Sequence, residues 1–412
     1  MEYFDKLETR DPRQREAEQF AALRVQIANA QSNAPFYARL LAGIKAADVG
    51  DRAALAALPV TRKSDLIELQ KAAPPFAGMT ALPPAALGRV FMSPGPMFDP
   101  EGRRADYWRL ARAMFAAGFR AGELVHNTFS YHFTPAGFMA DMGAHALGCP
   151  VFPGGTGQTD MQVAAIAALT PACYIGTPSF LRIILEKGDE LKADLASVTK
   201  ALVSAEALPA PLRAWFNARN VATLQCYAIA DLGLVAYESP AQEGMIIDEG
   251  VIVELVRPGT GEPVAVGEVG EVVVTTLMPE YPLIRFATGD LSAALAGASP
   301  CGRTNMRIKG WLGRADQTSK VKGMFVKPLQ IAAVAKRHPE IRKYRLVIEH
   351  DDKQADRMTL HCELAGTGSP VLAAAVAATV RDVCNLRGEV AFAAFGALPN
   401  DGKVIDDVRK YD

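Results

Sequence analysis

Apolar and polar positions follow three different patterns along the chain. Residues 13–30 repeat apolar side chains at a helical spacing, which predicts an amphipathic helix. Between residues 107 and 238, helical segments alternate with short strand-like segments, as is typical of a mostly parallel sheet with crossover helices. Residues 245–292 contain short strands separated by glycine and proline, which predicts antiparallel hairpins. The pattern therefore predicts an α/β protein with a small β subdomain over residues 245–292.

The last hundred or so residues have a pattern of their own. Strand-like segments such as KYRLVIEH and MTLHCEL alternate with the helical segments IAAVAKR and AAAVAATVRDVC, which predicts a compact α+β unit. We place the boundary near residues 313–317, so that an N-terminal domain spans residues 1–313 and a C-terminal domain spans residues 314–412.

Composition and charge narrow the classes of function. The chain has 412 residues, with 44 lysines and arginines against 45 aspartates and glutamates, so its formal net charge of -1 provides no basic field for nucleic acid or an anionic membrane. The longest apolar run, residues 370–380, is shorter than the roughly 20 residues of a membrane helix. The first residues lack a signal-peptide pattern, and the six cysteines lack the spacing of a metal cluster. We expect a cytoplasmic protein that acts on small molecules.

Residues 282–331 carry the strongest chemical signal. A Thr-Gly-Asp turn ending at Asp290 follows an extended segment, and its carboxylate can accept hydrogen bonds from two vicinal hydroxyls, such as those of a ribose. Cationic side chains follow among glycines, at Arg303, Arg314, Lys320 and Lys322. Taken alone, these residues leave open a nucleotide site on the one hand and an ordinary turn with a solvated charged face on the other.

Motifs in a defined order extend over nearly the whole chain. They are NAPFYARL, LPVTRKSDL, VHNTFSYHF, FPGGTGQTDMQ, TPSFL, SAEALPAPLR, PLIRFATGD, PCGRT, GRADQTSKVKG and LPNDGKVIDDVRK. In order and spacing they resemble the phenylacetate-coenzyme A ligase family of adenylate-forming enzymes. The resemblance implies a large N-terminal α/β domain with parallel sheets and a small β subdomain, followed by a mobile C-terminal α+β domain.

The resemblance also implies a reaction in two steps. A carboxylate attacks the α-phosphate of ATP to give an acyl-adenylate and pyrophosphate, and the thiol of coenzyme A then displaces AMP. The implied cofactors are ATP/AMP, Mg²⁺ and coenzyme A, the implied partner is a small-molecule carboxylic acid, and a homodimer is common in the family. Both steps build negative charge on crowded oxygens, which requires a positioned cation.

Roles for individual residues follow from the same motifs. Lys403 matches the mobile C-terminal lysine of the family, and Arg314 is expected to lie against the ribose or phosphate, so we predict both as catalytic. Asp290 is expected to bind the ribose hydroxyls, and Asp316 matches the hinge of the C-terminal domain. The other predicted nucleotide-binding residues are Ser204, Ala205 and Glu206 in the adenine pocket, Tyr227 stacking on the base, Ala228 beside it, and Lys320, Lys322 and Gly323.

An aromatic segment and a glycine loop coincide with the part of the family that shapes the acyl pocket. The predicted substrate-binding residues are Phe129, Tyr131, Phe133, Phe138, Gly154 and Gly155. Their aromatic bulk suits an apolar or aryl acid. Core packing explains the aromatic residues equally well at this stage.

Two motifs depart from the family pattern. Where the family has a phosphate loop rich in Ser, Thr and Gly, this chain reads FMSPGPMFD over residues 91–99, in which two prolines remove N–H donors and Asp99 adds negative charge near the expected phosphates. Where the family has Tyr-Gly-Leu-Thr-Glu, residues 227–231 read YAIAD. Asp231 is therefore the predicted Mg²⁺ ligand, on a shorter arm than glutamate.

Because of these departures, three functions stay open from the sequence. The first is an acid–thiol ligase that activates an aromatic or apolar acid with ATP, its phosphates held through Ser93, Lys320 or Lys322. The second is acyl transfer without ATP cleavage. The third is a non-catalytic nucleotide-binding or acyl-binding homologue, against which the presence of Lys403 argues.

Overall fold

The computed structural model describes residues 2–93, 96–257, 261–315, 318–364, 366–399 and 404–409. These residues form two compact units. The first unit contains the chain up to residue 205 together with residues 215–312, and the second contains residues 206–214 and the chain from residue 313 onward. The predicted domain boundary at residue 313 and the separate β subdomain over residues 245–292 stay predictions.

The first unit mixes helices with a large sheet. Its helices are α1 (Pro12–Asn33), α2 (Pro35–Leu40), α3 (Arg52–Ala56), α4 (Leu66–Ala72), α5 (Leu110–Ala116), α6 (Ala136–Ala146), α7 (Thr159–Leu169) and α8 (Pro178–Leu191), and α9 (Ala210–Asn217) continues into it from the second unit. Its strands are β1 (Thr61–Arg62), β2 (Arg89–Ser93), β3 (Met97–Glu101), β4 (Val125–Asn127), β5 (Val151–Pro153), β6 (Cys173–Gly176), β7 (Lys200–Val203), β8 (Ala222–Ile229), β9 (Gly233–Glu238), β10 (Met245–Ile247), β11 (Val251–Val256), β12 (Val269–Thr276), β13 (Phe286–Leu295) and β14 (Arg307–Ile308).

The helix α1 illustrates how local sequence sets these elements. The Asp11 carboxylate accepts hydrogen bonds from the first backbone N–H groups of the helix, and Pro12 occupies the first helical position, where no N–H is needed. Buried apolar side chains recur every three or four residues, at Phe20, Leu23, Ile27 and Ala30. The helix predicted from residue 13 is therefore confirmed.

The strands of the main sheet lie in the order β11-β12-β13-β14-β10-β9-β8-β7-β6-β4-β5, with β1 beside β13. From β5 to β8 the neighbours are parallel, and from β8 to β11 they are antiparallel. The strand β8 is thus parallel to β7 on one side and antiparallel to β9 on the other. The strands of residues 245–292 extend this same sheet. The predicted α/β class with parallel strands is confirmed.

The second unit has its own sheet and core. Its strands are β15 (Ser319–Val321), β16 (Met324–Val326), β17 (Ile341–His350), β18 (Asp356–Leu364), β19 (Glu389–Ala393) and β20 (Ile405–Asp407), and its helices are α10 (Pro328–Lys336) and α11 (Pro370–Cys384). Four strands form the sheet β19-β18-β17-β20. Buried apolar side chains from the helices and the sheet, among them Ile331, Leu346, Leu360 and Val376, fill the core.

Within the first unit, Arg285 ties three segments together from a left-handed backbone position, with φ +45°. Its guanidinium forms two hydrogen bonds of 3.0 Å with the Glu254 carboxylate. It also donates to the carbonyl oxygens of Ala56 and Leu58, each at 2.6 Å, and of Gly261 at 2.7 Å. The Arg285 and Glu254 side chains are only 2% and 6% exposed. Arg285, from the PLIRFATGD motif, is therefore a structural anchor.

Replacing Arg285 with methionine should destabilise the protein by about 3–5 kcal/mol, because it leaves the Glu254 carboxylate buried without its counter-charge. The matched control is Arg257→Met, which removes a pair with Glu268 whose side chains are 60% and 48% exposed. That change should cost less than about 1 kcal/mol. Urea unfolding of both variants measures the difference, and equal losses would contradict the anchoring role.

Candidate active site

The carboxyl end of β8 is a natural place for a ligand, because ligands of α/β sheets bind outside the carboxyl ends of parallel strands and β8 is parallel to β7. The pairing of β8 with β9 shifts register between Tyr227 and Ala228. Such a bulge turns successive side chains away from strict alternation. As a result, residues 227–230 are half-buried at the end of the strand, whereas Asp231 beyond them is buried.

The structure brings together the predicted base-stacking residue and the predicted ribose-binding residue. The Tyr227 hydroxyl donates to Oδ2 of Asp290 at 2.7 Å, and the Trp311 indole N–H donates to Oδ1 at 3.0 Å. The backbone N–H of Asp290 donates to the Thr288 hydroxyl at 3.0 Å, which in turn donates to the Val272 carbonyl oxygen at 3.0 Å. The Tyr227 hydroxyl and the Trp311 indole therefore orient the Asp290 carboxylate.

Trp311 was missed by the sequence analysis. It stands in the stretch GWLGRADQ, directly before the predicted nucleotide contacts, and a tryptophan next to a motif was the available signal. An indole has one N–H to donate, and a partly buried indole usually finds an acceptor for it.

The segment predicted to line the adenine pocket begins at the end of β7. The Ser204 hydroxyl donates to the Cys226 carbonyl oxygen at 2.8 Å, which places this segment against β8 one residue before Tyr227. Ala205 follows with a left-handed φ of +70°. Ala228 pairs with Leu234 in β9, and Glu206 belongs to the second unit.

A β-hairpin stands where the family has its phosphate loop. The strands β2 and β3 pair antiparallel from Arg89 opposite Glu101 to Ser93 opposite Met97. Because the ladder uses backbone N–H groups of these strands, fewer of them remain to hold phosphates than in an open loop. Pro94 and Gly95 at the tip lie outside the described residues. The predicted loss of the usual phosphate cradle stays a prediction.

Asp99 on β3, whose negative charge is expected near the phosphates, is fully buried. It lies beside Asp231, whose Oδ2 forms an ion pair with Nζ of Lys63. Burial, and then the Asp231 carboxylate, raise the pKa of Asp99 well above its usual value, and Lys63 and the Ser93 hydroxyl only partly offset this rise. A protonated Asp99 can donate to Asp231, whose Oδ1 has no other hydrogen-bond partner among the described residues.

This arrangement does not fit the predicted Mg²⁺ ligand. The Asp231 side chain is 0% exposed and already forms an ion pair with the ammonium group of Lys63. Mg²⁺ requires near-octahedral coordination by oxygen atoms. Over the ranges that the structure describes, no group of three or more His, Cys, Asp or Glu side chains is placed to hold a metal ion.

The predicted acyl-pocket aromatics fall into two groups. Phe129 is buried, and Phe138 packs against the same apolar cluster. The Phe138 ring centroid lies 5.3 Å from that of Tyr131 and 5.5 Å from that of Phe91, a residue not predicted for this role. Phe133, by contrast, is 73% exposed at a left-handed φ of +63°. The structure does not bring Phe133 into the aromatic group.

The Tyr131 hydroxyl takes part in a polar network. It donates to the Asp141 carboxylate at 2.6 Å and accepts from the Asn127 amide at 2.7 Å. Burial, and then the hydrogen bond to Asp141, raise the pKa of Tyr131. Its polar end is therefore bonded within the protein, and the ring is the part of Tyr131 that is available to an apolar ligand.

Gln162 holds the predicted glycine loop in shape. Its amide nitrogen donates to the carbonyl oxygens of Gly154 and Gly155, each at 3.0 Å. A Cβ atom at Gly154 would lie 2.4 Å from the Gln162 amide oxygen, so a larger residue there would have to displace the Gln162 side chain. That oxygen lies 2.6 Å from Nε2 of His126, and because Gln162 already uses its N–H groups, His126 must be the donor. Neither Gln162 nor His126 was predicted as part of the site.

The remaining predicted residues belong to the second unit. The Arg314 guanidinium and the Lys320 ammonium each lie 5.5 Å from the centroid of the Phe325 ring. Lys322 and Gly323 have φ of +48° and +81° and form the two-residue turn between β15 and β16. Asp316 and Lys403 lie outside the described residues.

Comparisons with known proteins agree with the fold. Residues 109–281 match the family model of AMP-binding enzymes. In structure, the chain resembles 2-hydroxyisobutyryl-CoA ligase crystallised with 2-HIB-AMP and CoA, with a TM-score of 0.85 at 24% identity over 98% of this chain and 92% of that one. An amide bond synthetase from Marinactinospora thermotolerans gives a TM-score of 0.58 at 17% identity, over 78% of this chain and 68% of that one. The structural likeness shows that the chain has the fold of these enzymes.

Two relatives found by sequence share a higher identity with this chain than these solved structures do. A phenylacetate-coenzyme A ligase of Thermus thermophilus is 30% identical over 382 residues, which cover 89% of this chain and 85% of that protein. One from Aromatoleum evansii is 29% identical over 84% of this chain and 81% of that protein. The chain belongs to the phenylacetate-coenzyme A ligase family. It is an AMP-forming acyl-CoA ligase by class, and the comparisons give no support to ATP-independent acyl transfer or to a non-catalytic homologue.

None of the described helices is both long enough and apolar enough to cross a membrane.

Asp99→Asn should change how stability depends on pH. A folded-state pKa raised above the unfolded value of about 3.9 gives stability that is present below that value and is lost as pH rises through the folded pKa. The wild type should therefore lose stability above about pH 4, because Asp99 loses its proton in the unfolded chain first. The other ionisable groups around Asp99 are Asp231, Lys63 and Tyr281. The variant should melt higher than the wild type at pH 8 and similarly at pH 4.

Melting temperatures across this pH range test the prediction. The matched control is Asp352→Asn, at an exposed position of the second unit, which should leave the pH profile unchanged. An Asp99→Asn variant less stable than the wild type at pH 8 would show that the ionised carboxylate is needed for the fold.

Proposed function

We propose that this chain activates an aromatic or apolar carboxylic acid with ATP, releases pyrophosphate, and transfers the acyl group from the adenylate to coenzyme A. The observation that carries the proposal is the Tyr227–Asp290 hydrogen bond at the carboxyl end of β8. It joins an aromatic ring and a carboxylate, the two groups required for a base and for ribose hydroxyls, at the place in the sheet where ligands bind.

In this proposal, Asp290 accepts hydrogen bonds from the ribose hydroxyls while Tyr227 and Trp311 fix the orientation of its carboxylate. Fixed acceptors are effective because no side chain has to be reoriented during the reaction. The Ser204 segment, bonded to β8 at Cys226, supports the adenine side of the pocket.

The acid is proposed to bind against Phe129, Tyr131 and Phe138. The Tyr131 hydroxyl forms hydrogen bonds with Asp141 and Asn127, so these three residues present aromatic rings to the acid rather than polar atoms. Aromatic rings favour an apolar or aryl acid. Gly154 and Gly155, shaped by Gln162, are proposed to border the same pocket. A wall contributed by Phe133 stays a prediction.

Positive charge for the developing negative oxygens is proposed to come from Lys403 and Arg314. This division of roles is consistent with the hairpin at residues 89–101, whose backbone donors serve its own pairing. Mg²⁺ is proposed as a companion of ATP. Phosphate contacts from Lys320, Lys322 and Gly323, hinge motion at Asp316, a homodimer and a cytoplasmic location stay predictions.

The direct test is AMP and pyrophosphate formation by the purified chain with Mg²⁺-ATP, with coenzyme A added in a second set of reactions. Phenylacetate, benzoate and a medium-chain fatty acid form the acid panel. We expect AMP release that depends on the acid, and an acyl-CoA product when coenzyme A is present. Lys403→Ala should slow adenylation by about 10²–10³-fold, the loss typical of one positioned charge-stabilising group. Binding of AMP without any reaction of ATP would contradict the proposal.

Substitutions at Tyr227 separate its two roles. Tyr227→Phe removes the hydrogen bond to Asp290 and keeps the ring, so KM for ATP should rise only several-fold, as expected for about 1 kcal/mol. Tyr227→Ala removes both, and KM should rise further by about another tenfold through the loss of stacking. Steady-state kinetics measure both values. Identical KM values in the two variants would show that the ring does not contact the base.

A further inference from the structure

The position of Lys63 is fixed by the main sheet. It follows directly after β1, where Thr61 and Arg62 pair with Phe286 and Ala287 of β13. A short 3-10 turn then directs its side chain toward the end of β8, and only 14% of that side chain is exposed. The ammonium therefore reaches Asp231 from a rigid element.

Lys63 brings a positive charge to the buried Asp231 carboxylate. Nζ of Lys63 forms an ion pair with Oδ2 of Asp231, and Asp99 lies beside the same carboxylate. The side chains of both aspartates are buried. Tyr281, also fully buried, is close enough for both carboxylates to raise its pKa. A buried carboxylate needs a counter-charge, and here the protein itself supplies it.

An ammonium group and a divalent cation exclude one another at such a site. They repel each other, and Mg²⁺ would have to displace the ammonium and still find oxygen ligands for octahedral coordination. The Asp231 carboxylate, which matches the family's metal position, is consequently occupied by the Lys63 ammonium group.

We propose that Lys63 is the resident cation of the Asp231 carboxylate and that the protein provides no Mg²⁺ ligand there. Mg²⁺ then reaches the active site only on the phosphates of ATP. This second statement rests on the proposed ligase function, whereas the first concerns the protein without nucleotide.

The test uses nucleotide-free, full-length protein and Mn²⁺ as the probe, with bound ion measured by electron paramagnetic resonance. The wild type should show no stoichiometric, micromolar Mn²⁺ site, and millimolar Mn²⁺ should leave its melting temperature unchanged. A site of one Mn²⁺ per chain that Asp231→Asn removes would overturn the proposal. Should Asp231→Asn not fold, the wild-type titration decides alone, because a stoichiometric site contradicts the proposal and its absence supports it.

Variants of Lys63 test the ion pair independently. Lys63→Met should lower the melting temperature by roughly 5 °C or more, because it leaves a buried carboxylate without its partner. Lys63→Arg keeps the charge and should lose less, and the double variant Lys63→Met/Asp231→Asn should recover part of the loss. A Lys63→Met variant as stable as the wild type would overturn the assignment. Because no nucleotide is present, these outcomes are independent of whether the chain forms AMP.

Discussion

A carboxylate taken out of water must be given a counter-charge, and the first compact unit is arranged around this requirement at the end of β8. Asp231 is buried there and pairs with Lys63, while Asp99 packs against it from β3. Meeting the requirement fixes three segments that are distant in sequence: the residues after β1, the hairpin β2–β3 and the end of β8. The inward face of the hairpin is therefore determined by electrostatics as much as by apolar packing.

Two aspartates near the end of β8 have different partners. Asp231 faces a cation, and its charge is neutralised inside the protein. Asp290 receives hydrogen bonds from a tyrosine hydroxyl and an indole, which orient its carboxylate. Of the two, Asp290 has the environment expected of a ligand-binding group. Residue type alone cannot separate these cases, because the separation depends on which donors the fold brings near.

Much of the fold could be predicted because periodicity reports local structure. The alternating segments between residues 107 and 238 are helices and strands, and the strands from β4 to β8 pair in parallel. The elements α10, β17, β18 and α11 lie where the pattern of the last hundred residues predicts them. The failures have local causes. The helix predicted from Tyr107 begins only at Leu110, because Asp106 and Arg109 adopt left-handed φ angles. The pairing of β20 beside β17 was missed because a three-residue strand has too few positions to show a period.

For the site, motif matching located Tyr227 and Asp290, which the structure brings together, but it could not reveal their contact. The partners Trp311, Gln162 and His126 escaped notice because a donor to a carboxylate or a carbonyl oxygen leaves no periodic trace. The ion pair of Asp231 could not be predicted from its motif for a related reason. Nothing in the local sequence around Asp231 shows that Lys63 is its neighbour.

The ion pair of Lys63 and Asp231 also constrains the order of folding. The two residues are 168 positions apart in the chain. Closing so long a loop carries a large entropic cost, which the rest of the sheet must offset before the two charges can leave water together. Until β8 has joined the sheet, both side chains are better solvated apart, so the β2–β3 hairpin cannot acquire its final inward face early. The segment that replaces the phosphate loop is therefore among the last parts of the first unit to reach its native environment.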